Sequence, residues 1–335
     1  MSDEEATGPH ALGRNEPTRV LSLSDLGRSR QAPLGPRAAF LVAHERLTVL
    51  ASAATEPAVA LVAVDAQARV FGSRLLRARG ALVVGRHSQC GLCLGRETIS
   101  LRHVAFLVQG SGQQLRIHAR DLATGAPFVT EDGHPNSAVV AEGPLYVAIE
   151  GYALWLVPVG PSLGIAPRAD DAYAALPPRA FVDRRPPSLG AAPEPPAPHR
   201  VGERRAGSTS ITSLGPPLLL GDGDEPEVGW GVLRIDDGKH KERRSVSAER
   251  LERGILLGRY ARCGLVLSSP TNTISRVHAL LLRIGAEVWV VDTASTNGIF
   301  RGDAPVHADV LGDVDVLSLS HSVRLEWRRT EHPEA

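Results

Sequence analysis

Short apolar runs alternate with polar corners along the C-terminal third of the chain. Residues 255–257 and 264–267 form brief runs rich in Ile, Leu and Val, and residues 277–284 and 287–291 form longer ones. Apolar runs of this length, bounded by Gly, Ser, Asn and Arg, predict β-strands rather than helices. The pattern predicts an antiparallel β-sandwich over residues 229–329, with the connecting loops gathered at the ends of the sheets.

Three polar corners separate the predicted strands: Gly258-Arg259, Ser275-Arg276 and Thr296-Asn297-Gly298. An arginine offers a planar fork of donors, a serine offers a short charge-assisted hydrogen bond, and an asparagine can both donate to and accept from a peptide backbone. If the corners meet at one end of the sandwich, they form a receptor for a doubly charged anion carried on a peptide. Each residue also has a plainer interpretation, because Asn-Gly is a common hairpin turn and a lone loop arginine or serine is often only solvated.

The order and spacing of these residues, together with His278 and Asp292, resemble the forkhead-associated (FHA) domain, a phosphothreonine-binding β-sandwich without catalytic activity. The resemblance implies that Arg259 and Ser275 contact the phosphate and that Asn297 holds the peptide backbone. It also implies supporting roles for Arg276 and Thr296 beside the phosphate, and for Gly258, His278 and Gly298 in the loops. We therefore expect a phosphothreonine-peptide-binding adaptor in Ser/Thr-kinase signalling, which would bind a kinase or its substrate. The alternative is a scaffold that binds proteins regardless of phosphate.

A related pattern precedes this domain. The ten residues from Gly85 (GRHSQCGLCL) align without a gap to the ten from Gly258 (GRYARCGLVL), and ISLRH at 99–103 matches ISRVH at 274–278 after a loop two residues shorter. An internal repeat of this size indicates two copies of one fold, so we predict a second FHA-like β-sandwich over residues 37–160. Within it, residues 38–54 fit either a helix or a first strand followed by a loop.

The first copy departs from the motif where binding chemistry is expected. Arg86, Ser100 and His103 persist, but Leu101 replaces the second arginine of the motif, and Arg102 follows on the opposite face of an extended chain. Residues 121–125 give a final corner two residues shorter than 292–298 and without asparagine. We expect this degenerate copy to bind phosphopeptides weakly or not at all. It would serve instead as an interaction surface or as a packing partner for the second copy.

The remaining segments have a different composition. Proline pairs recur between residues 161 and 228, and such chain favours extended conformations over a packed core. We predict an all-β protein of two sandwiches joined by a Pro-rich disordered linker over 161–228, with tails over 1–36 and 330–335. Three threonines are candidate phosphosites for self-binding: Thr18, Thr209 and Thr212. Tethering would raise the effective concentration of the linker sites to about millimolar.

The charges of the chain balance. Its 335 residues carry 37 basic and 37 acidic side chains, so no net charge attracts the chain to nucleic acid or membranes. Only Lys239 and Lys241 are lysines, an arginine bias typical of GC-rich bacterial genomes. The basic run 239–244 lacks interleaved aromatic residues and is interpreted as a solvated loop. The N-terminus lacks a signal-peptide pattern and no apolar stretch reaches membrane-spanning length, so we expect a cytoplasmic protein.

Three cysteines are too few for the disulfide framework of a small secreted domain. Cys90 and Cys93 have the spacing of a metal-binding pair, but Cys263 and Val266 occupy the corresponding places in the second copy. This correspondence favours buried thiols over a zinc site, which would need further ligands. The sequence also lacks a phosphate-binding glycine loop ending in Lys-Ser/Thr, a nucleophile elbow and a recognisable carboxylate or metal cluster. We expect no metal, no cofactor and no enzymatic activity.

Overall fold

The computed structural model describes residues 32–111, 114–122, 124, 126–187, 229–238, 240–261, 263–267 and 273–330. The candidate phosphosites Thr18, Thr209 and Thr212 lie outside these ranges, as do residues 331–335. Two β-sandwiches occupy most of the described chain, so the predicted all-β fold is confirmed.

The first sandwich contains two sheets, each with six strands among the described residues. One sheet contains β1 (Ala58–Asp65), β2 (Val70–Arg77), β7 (Phe128–Thr130), β8 (Pro135–Asn136), β10 (Leu145–Ile149) and β11 (Tyr152–Val159). Its order is β2-β1-β11-β10-β7-β8. The other contains β3 (Ala81–Gly85), β4 (Leu92–Cys93), β5 (Val104–Ser111), β6 (Gln114–Asp121), β9 (Ala138–Glu142) and β12 (Ala180–Arg185). Its order is β12-β9-β6-β5-β3-β4.

The second sandwich repeats this arrangement. One sheet contains β13 (Gly231–Asp236), β14 (Lys241–Val246), β19 (Ile299–Arg301), β20 (Ala304–Val306), β22 (Val314–Leu319) and β23 (Val323–Arg329), in the order β14-β13-β23-β22-β19-β20. The other contains β15 (Ile255–Gly258), β16 (Leu265–Val266), β17 (Ala279–Ile284), β18 (Glu287–Asp292) and β21 (Ala308–Leu311), in the order β16-β15-β17-β18-β21. Except for β12, every strand of the first sandwich has a counterpart at the same place in the second. In both, the glycine that begins the first polar corner belongs to a short parallel pair of strands.

Alternation along the strands separates the inner faces of the sandwich from its outer faces. In β5, Val104, Phe106 and Val108 point into the core of the first sandwich, whereas Ala105 and Leu107 point away from it. In β17, Ala279 and Leu281 point into the core of the second sandwich, whereas Leu280 and Leu282 point away from it. Both strands are buried on both faces, which explains their unbroken apolar runs.

The outward-facing residues of these two sheets pack against each other. Val83, Ala105 and Leu107 of the first sandwich belong to one apolar cluster with Leu280 and Leu282 of the second. The first copy is therefore a packing partner of the second, one of the two roles expected for it. Burial of this continuous apolar surface contributes about 25 cal/mol for each Å² removed from water.

A helix resolves the ambiguous N-terminal run. Helix α1 (Pro36–Ala53) begins with proline at its first turn, where a missing backbone N–H costs nothing. It covers the outer face of the β1–β11 sheet, and Phe40 meets Trp155 edge-to-face with ring centroids 5.4 Å apart. Just before the helix, Leu34 accepts a hydrogen bond from the Tyr146 hydroxyl at 2.5 Å. The predicted tail boundary at residue 36 is too late, because Leu34 and Pro36 already accept hydrogen bonds from Tyr146 and Trp155 of the sandwich.

The predicted linker boundary at residue 161 is also wrong. Helix α2 (Ala169–Ala174) packs beside α1, and β12 pairs antiparallel with β9 as an edge strand of the first sandwich. Proline pairs flank β12 on both sides, where they do not interrupt its ladder, since proline is tolerated at strand ends. Residues 188–228, the rest of the predicted linker, lie outside the described residues.

The basic run near the start of the second sandwich is a strand rather than the predicted loop. Lys241 to Arg244 lie on β14, the edge strand of its sheet, and Lys239 is not described. The Lys241 ammonium lies 3.4 Å from the Asp236 carboxylate of the neighbouring strand. Charged side chains along an edge strand discourage pairing with another chain.

Within the described ranges, no helix combines the length and apolar character needed to cross a bilayer.

Candidate functional site

The first two polar corners of the second sandwich approach each other at the end of β15. The Arg259 amide donates to the Ser275 carbonyl at 3.2 Å, and the Tyr260 amide donates to the Arg276 carbonyl at 3.1 Å. A Cβ atom at Gly258 would overlap the Arg276 carbonyl oxygen, so only glycine permits this approach. The loop that carries Arg259 is therefore fixed against the loop that carries Ser275.

Ser275 joins the second corner to the third. Its hydroxyl oxygen accepts a hydrogen bond from the Thr296 amide at 2.9 Å and lies 3.4 Å from the Thr296 hydroxyl. The Asn297 side-chain amide donates to the Thr273 carbonyl at 2.7 Å. Ser275 is 8% exposed, whereas Thr296 and Asn297 are exposed to solvent. The structure thus brings the three corners to one solvent-facing end of the sandwich.

His278 ties the same loops together from beneath. Its Nδ1 accepts from the Ser275 amide at 3.1 Å, and its Nε2 contacts the Gly298 carbonyl at 2.9 Å. Since a carbonyl can only accept, this arrangement requires a neutral imidazole with its proton on Nε2. Burial lowers the pKa of His278, which keeps the ring in that form. The histidine braces the loops and does not reach the solvent-facing surface.

The third corner is built on an aspartate turn. Asp292 accepts hydrogen bonds from the Ser295 amide at 2.7 Å and from its hydroxyl at 3.1 Å, and the Ser295 hydroxyl accepts from the Gly298 amide at 3.0 Å. Gly298 has φ +78°, but Asn297 does not have positive φ. A type I′ hairpin turn needs positive φ at both central residues. Asn297-Gly298 is therefore not the common two-residue Asn-Gly hairpin turn. Asn297 is held with its amide exposed instead.

The electrostatics of the site are unusual for a protein surface. Arg259 is exposed and Arg276 is half-buried, and neither guanidinium has a carboxylate partner among the described residues. Burial, and then the neighbouring Arg259 charge, lower the pKa of Arg276. Two cations near each other, without an anion between them, repel unless an anionic ligand lies beside both. Such a pair, next to the Ser275 hydroxyl and the Asn297 amide, can hold a phosphate with its peptide.

The corresponding end of the first sandwich has the same backbone bonds. The Arg86 amide donates to the Ser100 carbonyl at 2.9 Å, and the Ser100 amide donates to His103 Nδ1 at 3.4 Å. A Cβ atom at Gly85 would overlap the Leu101 carbonyl oxygen, as at the matching glycine of the second sandwich. The side chains differ, since Arg86 donates to the Ile99 carbonyl at 3.2 Å and Leu101 occupies the place of Arg276.

The third corner of the first sandwich is shorter than its counterpart by one residue, not by the predicted two. Thr124 donates its hydroxyl to Asp121 at 2.6 Å, as Ser295 does to Asp292. The Ala126 amide donates to the Thr124 hydroxyl at 3.2 Å and the Ala126 carbonyl contacts His103 Nε2 at 2.8 Å, as Gly298 does with Ser295 and His278. Ala126 therefore lies in the place of Gly298, and the corner contains no asparagine. Ala123 and Gly125 lie outside the described residues.

The cysteines divide between two environments. Cys90 and Cys263 are buried in the apolar cluster between the sandwiches, and burial raises the pKa of Cys90 to about 11 and of Cys263 to about 12. Cys93 is exposed, so the prediction that both cysteines of the pair are buried is wrong for it. Within the described ranges, no group of three or more His, Cys, Asp or Glu side chains could hold a metal ion.

Two features of the site were not found from the sequence. A hydroxyl network beside Asn297 joins Thr273 to Ser320 at 3.1 Å and to Ser322 at 2.7 Å. Arg102 of the first sandwich reaches the loop before Ser295. Serines in a β-turn and a lone arginine are common in any sequence, so only the three-dimensional arrangement distinguishes them.

Part of the second sandwich matches a known family. Residues 255–320 match the FHA domain family model. The match begins at β15 and ends at the turn after β22, so it contains all three corners of the site. It covers the part of the chain on which the resemblance was noted. No curated protein matches the chain.

Several solved FHA domains are similar to part of this chain. The FhaA FHA domain, in complex with the intracellular domain of Rv3910, is 28% identical and covers 29% of this chain and 99% of its own, with a TM-score of 0.25. The Rv1747 FHA-1 domain of Mycobacterium tuberculosis is 18% identical, with 30% and 98% covered and a TM-score of 0.25. The FHA domain of CT664 from Chlamydia trachomatis is 20% identical, with 30% and 97% covered and a TM-score of 0.26.

Proposed function

We propose that the second sandwich binds phosphothreonine peptides and that the protein is an adaptor in Ser/Thr-kinase signalling. In this proposal Arg259 and Ser275 contact the phosphate, Arg276 and Thr296 support it, and Asn297 holds the peptide backbone. The phosphorylated partner is a kinase or one of its substrates. The FHA match over residues 255–320 supports recognition of a peptide rather than catalysis.

One observation carries the proposal. Arg259 and Arg276 lie close enough for their charges to interact, and no carboxylate among the described residues neutralises either of them. Elsewhere in the second sandwich, Arg283 and Arg301 form ion pairs with acidic side chains. Unpaired cations beside an exposed amide and a hydroxyl are suited to a dianionic group on an extended peptide.

The expected affinity is modest. A hydrogen bond to a charged group contributes about 1.5–3 kcal/mol, and a phosphate on threonine carries about −1.5 to −2 charge at neutral pH. Three such bonds, less the cost of ordering an extended peptide, correspond to a dissociation constant of about 1 μM, or −8 kcal/mol. An affinity of this size suits a reversible signalling contact.

We further propose that the first sandwich is a diverged FHA domain that has lost phosphopeptide binding. Its strand order and backbone bonds match those of the second sandwich. Leu101 replaces Arg276, and the third corner of the first sandwich has no counterpart of Asn297, which removes one cation and the amide expected to hold the peptide. Arg86 then provides a matched control for Arg259. It lies at the corresponding position of the same backbone arrangement, but the first sandwich lacks counterparts of Arg276 and Asn297.

A phosphothreonine peptide library, captured by the full-length protein, tests the proposal. The wild type and Arg86→Ala should retain the same phosphopeptides, and Arg259→Ala should retain none. Dephosphorylated peptides should not be retained by any of the three. If Arg259→Ala and Ser275→Ala still bound a protein partner as well as the wild type, the protein would be a phosphate-independent scaffold instead.

Self-binding extends the proposal to the candidate phosphosites Thr18, Thr209 and Thr212. Kinase treatment of the intact protein should then block the capture of an added phosphopeptide, because a tethered site competes at high effective concentration. Replacement of the three threonines by valine should restore capture. Undiminished capture after phosphorylation of these sites would rule out self-binding while leaving the binding site itself in place.

A further inference from the structure

Arg102 extends from the first sandwich into the second. Its Nε donates to the Thr293 carbonyl, and a terminal nitrogen donates to the Ala294 carbonyl at 2.6 Å. The residue is only 7% exposed. Since the donor fork of an arginine matches two acceptors at once, this contact fixes orientation as well as distance. The Arg102 guanidinium therefore forms a buried, two-bond link between the two sandwiches.

The two carbonyls lie directly before the third corner of the candidate site. Ala294 has φ +59°, a left-handed conformation that costs a residue other than glycine about 1 kcal/mol or more. The next residues, Ser295 and Thr296, make the bonds to Asp292 and Ser275 that shape the corner. Arg102 therefore holds the strained end of the turn from which the exposed Asn297 amide projects.

The charge of Arg102 favours the same arrangement. Burial lowers its pKa, and the carboxylate of Asp292, the residue on which the turn is built, opposes that effect. The neighbouring Arg276 charge acts in the same direction as burial. Arg102 thus lies near enough to the turn aspartate and to a cation of the candidate site to sense both charges. Its guanidinium bonds the backbone before the third corner, at Thr293 and Ala294.

Other polar contacts join the two sandwiches independently of Arg102. Arg120 of the first sandwich donates to the Arg253 carbonyl at 2.8 Å and to the Glu252 carbonyl at 2.7 Å, and Arg79 pairs with Glu287 at 3.1 Å. These polar contacts surround the apolar cluster shared by the two sandwiches. The contact is not reciprocal, because the second sandwich has Val277 in the place of Arg102, and Val277 packs into the apolar cluster.

We propose that the first sandwich is a positioning module for the second, and that Arg102 is a positioning residue that holds the 293–298 turn in its peptide-binding form. This inference rests on the proposed function of the second sandwich. It gives the diverged first copy a role that needs no ligand of its own. It also predicts that phosphopeptide affinity depends on a residue of the first sandwich that never touches the peptide.

The test compares two arginines of the same interface in the full-length protein. Arg102→Ala frees the carbonyls before the peptide turn, and Arg120→Ala removes two hydrogen bonds to carbonyls at the end of helix α3 (Ala248–Arg253), away from the three corners. Titration with a phosphothreonine peptide captured by the wild type should show affinity about tenfold weaker for Arg102→Ala, equivalent to about 1.4 kcal/mol, and unchanged for Arg120→Ala. Arg102→Lys should be intermediate, since lysine keeps the charge without the fork.

Hydrogen exchange separates positioning from general destabilisation. In Arg102→Ala the amides of Thr296 and Gly298, which are hydrogen-bonded within the corner, should exchange faster, and in Arg120→Ala they should exchange as in the wild type. Thermal unfolding of both variants shows whether each is folded. Equal affinities and equal exchange rates for Arg102→Ala and the wild type would overturn the inference, as would equal losses in the two variants.

The same experiment distinguishes the inference from the function on which it rests. If the wild type binds the peptide, Arg259→Ala does not, and Arg102→Ala binds like the wild type, the proposed function stands and the positioning role fails. If the wild type retains no phosphopeptide at all, the proposed function fails, and the affinity claim for Arg102 fails with it.

Discussion

The two sandwiches share a backbone frame at the end that carries the polar corners, and they differ in the side chains placed on it. Gly85 and Gly258 allow the same close approach of two loops, and His103 and His278 accept a hydrogen bond from the matching serine amide. A frame of this kind survives the loss of the residues that would contact a ligand. The comparison shows that loop geometry and binding chemistry are separable in this fold.

The sandwiches also differ in what covers their outer faces. Helix α1 and α2 cover the β1–β11 sheet of the first sandwich with apolar side chains, including Phe40 and Leu47. The matching sheet of the second sandwich presents charged residues such as Arg234 and Glu326, which pair at 3.5 Å. The first sandwich is thus enclosed by helix on one side and by the second sandwich on the other. This position suits the proposed role of the first sandwich, which is to hold the 293–298 turn of the second.

The largest effect is expected from the glycines of the shared frame. Gly258→Ala and Gly85→Ala each place a methyl group against a backbone carbonyl, and each should destabilise its own sandwich by about 3 kcal/mol. Thermal unfolding measures this cost. Gly258→Ala should also weaken phosphopeptide binding by the folded protein, because it distorts the site itself. Gly85→Ala should weaken binding less, and only through Arg102, whose Cα would lie 2.9 Å from the added methyl group. Unchanged stability in either variant would show that the two frames are not equivalent.

Acid should destabilise the first sandwich more than the second. Burial lowers the pKa of His103 and of His118 to about 4, so both rings stay neutral in the folded state while the unfolded chain takes up protons below about pH 6.5. Stability is therefore complete above pH 6.5 and falls as the pH drops towards 4, by about 1.4 kcal/mol per pH unit for each histidine.

Urea unfolding at pH 7 and pH 5 measures this loss, and NMR titration of the imidazole protons identifies its source. The pKa of His278 is also lowered by burial, so the second sandwich should lose stability in the same direction with one buried histidine of this kind instead of two. A titration of His103 near pH 6.5 would contradict its burial and its bond to the Ala126 carbonyl.

Substitutions that convert the second site into the first should weaken binding moderately. Arg276→Leu copies the residue found in the first sandwich, and Asn297→Ala removes an amide that the first sandwich lacks. Each should lower phosphopeptide affinity about tenfold, because each removes about one hydrogen bond worth roughly 1.4 kcal/mol. Isothermal titration with a captured phosphopeptide measures the loss. The matched substitution Leu101→Ala in the first sandwich should leave affinity unchanged. Full affinity in Arg276→Leu would remove Arg276 from the site.

The smallest expected effect is a difference in thiol reactivity between the buried and the exposed cysteines. Cys90 and Cys263 lie in the junction between the sandwiches, and their raised pKa values keep them as unreactive thiols, whereas Cys93 is exposed. A maleimide should modify only Cys93 in the native protein at pH 7.5, as mass spectrometry of the intact chain can show. Rapid labelling of all three would indicate that the sandwiches separate in solution.

Much of the second sandwich could be predicted from the sequence because its strands are short, apolar and bounded by polar corners. The first sandwich followed from the alignment of GRHSQCGLCL with GRYARCGLVL. The edge strand β12 was missed because Pro177-Pro178 and Pro186-Pro187 flank a run of only six residues. The length of the third corner in the first sandwich was misjudged because Gly125 was aligned with Gly298, whereas Ala126, which retains none of the motif, lies in that place.

The junction between the sandwiches could not be predicted from local patterns. Leu280 and Leu282 are typical of any buried strand, and nothing in the run 279–284 distinguishes a core contact from a contact with another domain. Arg102 was assigned to the face opposite Leu101, the place of the motif arginine, but its partners lie 191 and 192 residues away in the chain. Contacts at such separation depend on the packing of whole domains.

The central claim is that a single end of a single sandwich binds the phosphopeptide. An amide NMR titration of the full-length protein with a phosphothreonine peptide tests it most directly, because both ends are observed in one experiment. The account predicts shifts at Arg259, Ser275 and Thr296, and none at Arg86 and Ser100. Equal shifts at both ends, or shifts confined to another surface, would contradict it.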